Sequence, residues 1–416
     1  APLSFDSNDP TTQVHGIAKR MGRPLPRIDE AILQDFARFV DNWLATVQPL
    51  AANEILTFEE WLEEAPYTQA RKEELRESWK EVNGHPTLAQ CQEIKSFMKT
   101  ESYPEWNLPR GINSRVDVFK AWSGRLFKSI EKRIYAMPEF VKHIPVADRP
   151  AYIERMKKAG ARYFATDYSS FEASFQKRVM QACECKLYAH MLSSIPNDAA
   201  FLNAVISGRN KGKMRCGVSF VVDARRMSGD MCTSLGNGFT NLMIFKYLMR
   251  GRDACIIVEG DDGLAAVYDD GPLPVPADYE ALGFWIKIEH VSDPMLASFC
   301  GVVCPGGESV RNPFEVLSKF GWSRSDVYSG VRTRNRLLRA NALSLRTELP
   351  NCPILRAIAD RALYLTRSYA PKFVNDGYHS IPSDDRHFPL PVIPHATRAY
   401  FERTYGISVE KQREIE

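Results

Sequence analysis

The chain has 416 residues, of which 44% are hydrophobic, 11% aromatic and 25% charged, a composition that excludes disordered, collagen-like and mucin-like proteins. Its 54 Lys and Arg against 51 Asp and Glu leave a formal net charge of +3, so an anionic partner must be held by local basic patches rather than by a whole-chain field. Single cores stop growing at roughly 250–300 residues, so this length predicts two or three lobes.

Nine cysteines, an odd number spread from Cys91 to Cys352 without framework spacing, read as reduced thiols of a cytosolic protein. No apolar run approaches the ~20 residues of a spanning helix, and the N-terminus lacks a basic-then-apolar signal pattern, which predicts a soluble chain without a transmembrane segment of its own. A start at Ala1 rather than Met fits processing, excision from a larger product and trimming alike.

In chain order, residues 1–30 are polar and broken by Pro10, Pro24 and Pro26, which predicts an extended arm lying over the rest. From Ala31 to Glu81 the apolar spacing and acidic runs predict amphipathic helices, with Thr57 placed to cap one of them. Between Lys95 and Arg133 nine basic residues face four acidic ones, a candidate anion-binding wall. From Ala161 to Tyr268 strand-like apolar runs alternate with long helical patterns, as in a layered subdomain whose helices flank a small sheet. Lys319 to Arg346 carries seven basic side chains against Asp326 alone, with Leu337, Leu338, Leu343 and Leu345 at helical spacing. Repeats and low-complexity tracts are absent.

Three segments carry candidate chemistry. In Cys255-Ile-Ile-Val-Glu-Gly-Asp-Asp-Gly-Leu-Ala-Ala-Val-Tyr268, two apolar runs flank Glu259 to Gly263, which predicts a β-hairpin with Asp261 and Asp262 at its tip. A plain Asp-Gly turn is the bland alternative. A second strand-like run, Ala161 onward, ends at Asp167, with Glu172 five residues later as a helix begins. Carboxylates on neighbouring strand ends make an all-oxygen site for Mg²⁺ or Mn²⁺, hard ions that also bind substrate phosphates. Two such ions ~3.5–4 Å apart serve phosphoryl and nucleotidyl transfer. The third segment runs from Arg226 to Asn241. After the flexible Ser228-Gly229, Thr233 and Asn237 lie four apart on one helix face, where they suit a sugar or base edge; the bland alternative is a core helix capped by Ser or Asp.

Together, Asp167-x4-Glu172, Ser228-Gly-x3-Thr233-x3-Asn237 and Gly260-Asp261-Asp262 resemble motifs A, B and C of the RNA-dependent RNA polymerases of positive-strand RNA viruses, closest in phrasing to tombusvirus-like members. Lys99-Thr-Glu101 with Pro109-Arg110-Gly-Ile112 and Arg115 resembles motif F, Gly283 to Lys287 motif D, and Phe299-Cys300-Gly301 motif E. The matches cover about Lys95 to Cys304; motif G is not placed.

The resemblance implies an α+β right-hand polymerase. Fingers would comprise residues 31–154 and 183–222, a palm of antiparallel sheet backed by helices residues 155–182 and 223–305, and a mostly helical thumb residues 306–416, with 1–30 as the arm. It implies that Asp167 and Asp261, assisted by Asp262 and the Tyr168 carbonyl, hold two Mg²⁺ or Mn²⁺ ions. Lys99, Arg110 and Arg115 would clamp the triphosphate. Glu172, Ser228, Gly229, Thr233 and Asn237 would read the ribose, although the family more usually has Asp at the position of Glu172. Lys287 would protonate the leaving pyrophosphate or else stand as an exposed strand lysine. The expected partners are single-stranded RNA template, nascent RNA, ribonucleoside triphosphates and replication-complex proteins, in host cytoplasm at membranes reached through a partner or a segment outside this sequence. The arginines at 332, 334, 336 and 339 would line an RNA exit or form a solvated helix face. Cys300, Cys304 and His290 lack a fourth zinc ligand at customary spacing, and no histidine joins a nucleophile arrangement. The rival readings are a catalytically weak RNA-binding replication scaffold and a reverse transcriptase; clustered Asp167, Asp261 and Asp262 argue against the first, and Asn237 with Gly260 before the paired aspartates against the second.

Overall fold

The computed structural model describes residues 3–99, 102–103, 105–322, 330–373 and 392–416, so that Glu101, Arg324 and Asp326 of the sequence reading lie outside the described residues. Among the described residues ten strands alternate with helices: β1 (Leu3–Ser4), β2 (Glu93–Met98), β3 (Ser102–Tyr103), β4 (Gly111–Arg115), β5 (Arg162–Tyr168), β6 (Arg209–Lys213), β7 (Ser219–Asp223), β8 (Ala254–Glu259), β9 (Asp262–Val267) and β10 (Ile286–Val291). They form three sheets.

The central sheet has the order β10-β5-β9-β8 with every pair antiparallel. Tyr163 to Thr166 are buried residue after residue, because alternate side chains enter two different cores instead of one core and solvent. Phe164, Val258, Ala265 and Val267 pack with Leu242 and Phe245 of the helix Thr233–Leu248. Tyr163, Ala165, Leu264 and Ala266 pack instead with Ile153, Met156, Met295 and Phe299. The helix Thr233–Leu248 is buried on nearly every side, as a helix that is apolar all round must be. An α+β fold with an antiparallel sheet backed by helices is therefore present.

A second sheet, β4-β2-β6-β7, is mixed, since β2 and β6 run parallel. Its lysines and glycines kept it out of the sequence reading, although Glu-Ile-Lys-Ser-Phe-Met alternates outward and inward along β2. The inward Ile94 and Met98 meet Ile17 and Met21 of the N-terminal region.

That region corrects the expectation of an extended arm. Pro10 to Met21 form a helix, with Pro10 in its first turn and the Asp9 side chain accepting the Thr12 amide at 2.6 Å. Proline interrupts a helix in its interior but is pre-organised for its first position, where its missing N–H is not needed. The stretch around Pro24 and Pro26 forms neither helix nor strand.

The helices Glu30–Leu44, Phe58–Glu64 and Gln69–Glu81 match the amphipathic reading. Thr57 caps the second, its hydroxyl accepting from the Glu60 amide (3.3 Å) while its own amide donates to the Glu60 carboxylate (2.8 Å). Toward the C-terminus, the helices Pro313–Lys319, Val331–Glu348, Leu355–Leu365 and His395–Tyr405 gather around a core of their own, built on Leu345, Leu349, Leu355 and Phe401, and the helix Val409–Ile415 packs against His395–Tyr405. Among the described residues no helix is long and apolar enough to cross a membrane.

The helix Asp117–Ile134 lays Gly124 against the Trp61 indole so closely that a methyl there would overlap the ring. In an open helix Gly→Ala stabilises by about 1 kcal/mol. Here Gly124→Ala will destabilise, by about 1–3 kcal/mol from overpacking, measured as a lower midpoint in chemical denaturation.

Candidate active site

The site is assembled where strand ends meet. Glu259 pairs with Asp262 across the β8–β9 hairpin, leaving Gly260 and Asp261 as a two-residue turn. Gly260 takes φ +60°, a left-handed conformation that a Cβ would strain. The tip is thus tighter than the five-residue connection read from sequence. Beside it, β5 delivers Asp167, which stands directly opposite Lys287 of β10 and on the same face of the sheet.

Asp167 and Asp261 are exposed and Asp262 half-buried. Although its surface is exposed, the protein atoms packed around the Asp261 carboxyl displace enough solvent to raise it, and Asp167 adds to the shift. Burial and then the neighbouring Asp261 push Asp262 up to about 7. Like charges held this close favour protonation or a cation between them. Among the described residues no three acidic, histidine or cysteine side chains close a ready-made metal shell. The donor set is all oxygen, nevertheless, and it fits an ion that keeps several waters and takes only one or two carboxylates plus substrate phosphates, as Mg²⁺ does. Tyr168 supplies no side-chain ligand. Its ring is buried and its hydroxyl donates to Asn241 Oδ1 at 3.1 Å, so any share in ion binding falls to its backbone carbonyl.

Glu172 follows Ser170, whose φ of +62° turns the chain from β5 into the short helix Phe171–Ser174. Its carboxyl is raised by burial and by Asp261, against the opposing charges of Arg20, Arg226 and Arg110. Asn237 is buried, and its Oδ1 accepts from Arg226 Nε at 3.0 Å. Its amide nitrogen meets no partner among the described residues. Arg226 in turn forms a fully buried ion pair with Glu184, 2.6 Å apart.

The Ser228-Gly229 loop lies on β4. The Ser228 hydroxyl donates to Gly111 O (3.1 Å) and accepts the Asn113 amide (3.3 Å), and Gly229 N donates to Asn113 O (2.8 Å). A Cβ on Gly229 would crowd Asn113, Ile112 and Ser114. Thr233 donates its hydroxyl to Met227 O at 2.9 Å. Ser228 and Thr233 therefore shape the loop with the hydroxyls that the sequence reading assigned to a ribose.

Lys99 and Arg110 are exposed and brought together by the Lys99 N to Arg110 O bond of 2.7 Å. The charge of Arg110 lowers both Asp261 and Glu172, which places it in electrostatic reach of the carboxylates. Arg115 is a correction. It is 3% exposed, and its guanidinium bonds Asp230 Oδ2 (2.9 Å), Cys91 O (2.9 Å) and Asn210 Oδ1 (2.6 Å). Strand alternation turns Gly111, Asn113 and Arg115 inward together, so Arg115 anchors Asp230 instead of clamping phosphate. The expected basic wall is broken up in the same way, since Arg125 pairs with Asp198 (2.7 Å), Lys132 with Glu64 (2.6 Å) and Arg133 with Glu54 (2.5 Å).

Asn241 went unassigned in sequence. Fully buried, it donates from Nδ2 to Gly260 O (3.2 Å) and Asp262 O (3.0 Å) while accepting from Tyr168, so it ties the hairpin tip to β5 through the helix. Its position one turn beyond Asn237 was the available signal.

A family model described as RNA dependent RNA polymerase matches residues 94–340. The RNA-directed RNA polymerase of Panicum mosaic virus is 27% identical over 80% of this chain and 37% of its own length. RNA-directed RNA polymerase 2a of Tobacco streak virus is 29% identical over 37% of this chain and 20% of its own length, and the RNA-directed RNA polymerase of Greasy grouper nervous necrosis virus 26% identical over 47% and 21%. The chain spans about a fifth to a little over a third of the length of these relatives. With the model's match covering more than half of its residues and the paired carboxylates at the strand ends within that match, the chain belongs to the RNA dependent RNA polymerase family.

Proposed function

We propose that this chain is the catalytic portion of a viral RNA-directed RNA polymerase, which copies single-stranded RNA from ribonucleoside triphosphates and so replicates and transcribes a positive-strand genome. The observation that carries the reading is the placement of Asp167 beside the Asp261-Asp262 tip on adjoining antiparallel strands, with Arg110 in electrostatic reach. In the reaction the 3′-oxygen of the growing strand bonds to the α-phosphorus and the bond to the bridging oxygen breaks, releasing pyrophosphate.

Asp167, Asp261 and Asp262 would hold two Mg²⁺ or Mn²⁺ ions. When bound, these neutralise the charge that develops on the attacking and leaving oxygens. Lys99 and Arg110 receive the triphosphate. Glu172 and the unpartnered amide nitrogen of Asn237 read the 2′-hydroxyl, with Arg226 fixing the Asn237 rotamer. Lys287, exposed on the face it shares with Asp167, gives a proton to the departing pyrophosphate.

In this reading the central sheet with residues 155–182 and 223–305 is the palm, residues 31–154 and 183–222 the fingers, and residues 306–416 the thumb, supported by the separate C-terminal core. Arg332 and Arg334, exposed on the helix Val331–Glu348, are candidates for the RNA exit path, whereas Arg336 and Arg339 bond to Ala370 O and Leu363 O. We place the enzyme in host cytoplasm, at membrane-associated replication complexes reached through a partner protein or a segment outside this sequence.

The direct test is incorporation of labelled nucleotide on a single-stranded RNA template. Template-dependent product should form with Mg²⁺ or Mn²⁺ and fall about 100-fold or more in Asp261→Ala, the loss of several kcal/mol of charge stabilisation. Absence of product with every ion, with and without primer, sinks the proposal. Asn237→Ala should reduce the preference for ribo- over deoxyribonucleotides about 10-fold or more, measured as the ratio of kcat/KM values, because a group that bonds a substrate hydroxyl is lost. Ion binding also has a signature in stability. A raised carboxyl binds its proton more tightly in the folded state, so Asp262 favours folding at low pH, and this contribution is lost as pH rises through about 7. Added Mg²⁺ should therefore raise the melting temperature more at pH 8 than at pH 6, and Asp262→Asn should flatten that difference.

A further inference from the structure

Residues 22–29, with Arg20 in the last turn of the helix Pro10–Met21 before them, cross the connection that carries Glu172. At the near end the Arg23 guanidinium donates to Ser169 O at 3.2 Å and lies 4.2 Å from the centre of the Trp285 ring. In the middle Arg20 forms an ion pair with Glu172 at 3.9 Å, both side chains about a quarter exposed. At the far end Pro26 O accepts from Gln176 Nε2 at 2.8 Å. Three successive contacts thus span the connection from the end of β5 to the residue beyond the short helix.

Each end of this strap is fixed in a different core. Ile17 and Met21, on the helix before it, pack with Ile94, Met98 and Met227 of the second sheet and its loop. Leu33 and Phe36, on the helix after it, belong to the main core, and Asp29 N donates to Ala281 O at 2.8 Å. Pro24 and Pro26 stiffen the span between them. The connection beneath holds Ser170 at a φ of +62°, a conformation that a non-glycine residue keeps only where its surroundings enforce it.

The geometry points to the N-terminal strap as the device that positions Glu172, with Arg20 as a residue that sets discrimination between ribonucleotides and 2′-deoxynucleotides. The inference rests on the proposed reading of Glu172 as part of the ribose contact. The Arg20 charge holds the carboxylate toward the strap and limits its rotamers, so that its longer side chain reaches one position rather than several. Arg20 is a positioning residue that acts through Glu172.

The test measures kcat/KM for a ribonucleotide and the matching 2′-deoxynucleotide on a primed RNA template, for the unaltered chain, Arg20→Ala, Arg20→Lys, Glu172→Gln and the double variant Arg20→Ala/Glu172→Gln. Arg20→Ala should lower the ribo-to-deoxy ratio about 3- to 10-fold, chiefly through a higher KM for the ribonucleotide, the scale of coupling expected between groups in contact. Arg20→Lys should restore most of the ratio, and Arg20→Ala should add nothing in the Glu172→Gln background. An unchanged ratio in Arg20→Ala overturns the inference. Equal losses for both nucleotides, or an effect that persists without the Glu172 carboxylate, overturn it as well, because a merely structural contact behaves so. Arg20→Gln, which retains the side-chain stem, replaces the alanine variant if thermal melting shows the latter to be unfolded. Failure of the unaltered chain to incorporate any nucleotide overturns the polymerase reading itself, and is told apart from failure of the strap by that same control.

Discussion

The register of β5 between β9 and β10 is the constraint on which the site depends. With Thr166 opposite Gly263 and Asp167 opposite Lys287, the acidic end of β5 is delivered beside the hairpin tip and a lysine on one face. A slip of one residue would turn Asp167 into the sheet and Thr166 out of it. The slip is resisted from both sides, because Tyr163 and Ala165 fill one core while Phe164 fills the other. Hydrophobic burial on two faces therefore holds together carboxylates that repel one another. The raised proton affinity of Asp261 and Asp262 is the electrostatic cost of that arrangement, and it is what makes the place attractive to a divalent cation.

The helix Thr233–Leu248 is the second support, and it acts through polar groups in an apolar setting. Asn241 holds the hairpin tip by two carbonyl oxygens, and Asn237 is held by Arg226. The Arg226–Glu184 pair beneath them is sealed from solvent, so removal of either partner would leave an uncompensated charge, at a cost of about 3–5 kcal/mol. Gly236 is where these groups come closest to the helix backbone, and a Cβ there would collide with the ion pair. Rigidity at this point holds the Asn237 side chain in one orientation.

Charge is sorted by packing more than by sequence neighbourhood. The basic stretch from Lys95 to Arg133 looks like a single anion site on paper, yet Arg115 is buried against Asp230, and Arg125, Lys132 and Arg133 each pair with a carboxylate nearer the surface. Lys99 and Arg110 remain exposed at the end of the β2–β4 pair, the latter felt by Asp261 and Glu172. The N-terminal residues contribute in the opposite sense: read as a covering arm, they supply a helix, a stiff strap and two arginines against the connection that bears Glu172.

What the sequence by itself determined about this protein is local. The glycine of Gly260-Asp261 marks a turn that needs a left-handed residue, the apolar runs on either side make the hairpin, and the order of the three acidic and polar segments points to the family. Thr57 with Glu60 and the leucines of the helix Val331–Glu348 are legible for the same reason, since caps and periodicity involve residues within a few positions of one another. Only the tertiary structure decided which cations are buried against carboxylates and which stay exposed, that the Ser228 and Thr233 hydroxyls are committed to the loop, and what the N-terminal strap touches. Those outcomes rest on pairings such as Arg115 with Asp230, 115 residues apart, or Gln176 with Pro26, 150 apart. Such partners are chosen by how strands and cores stack, which no window of sequence contains.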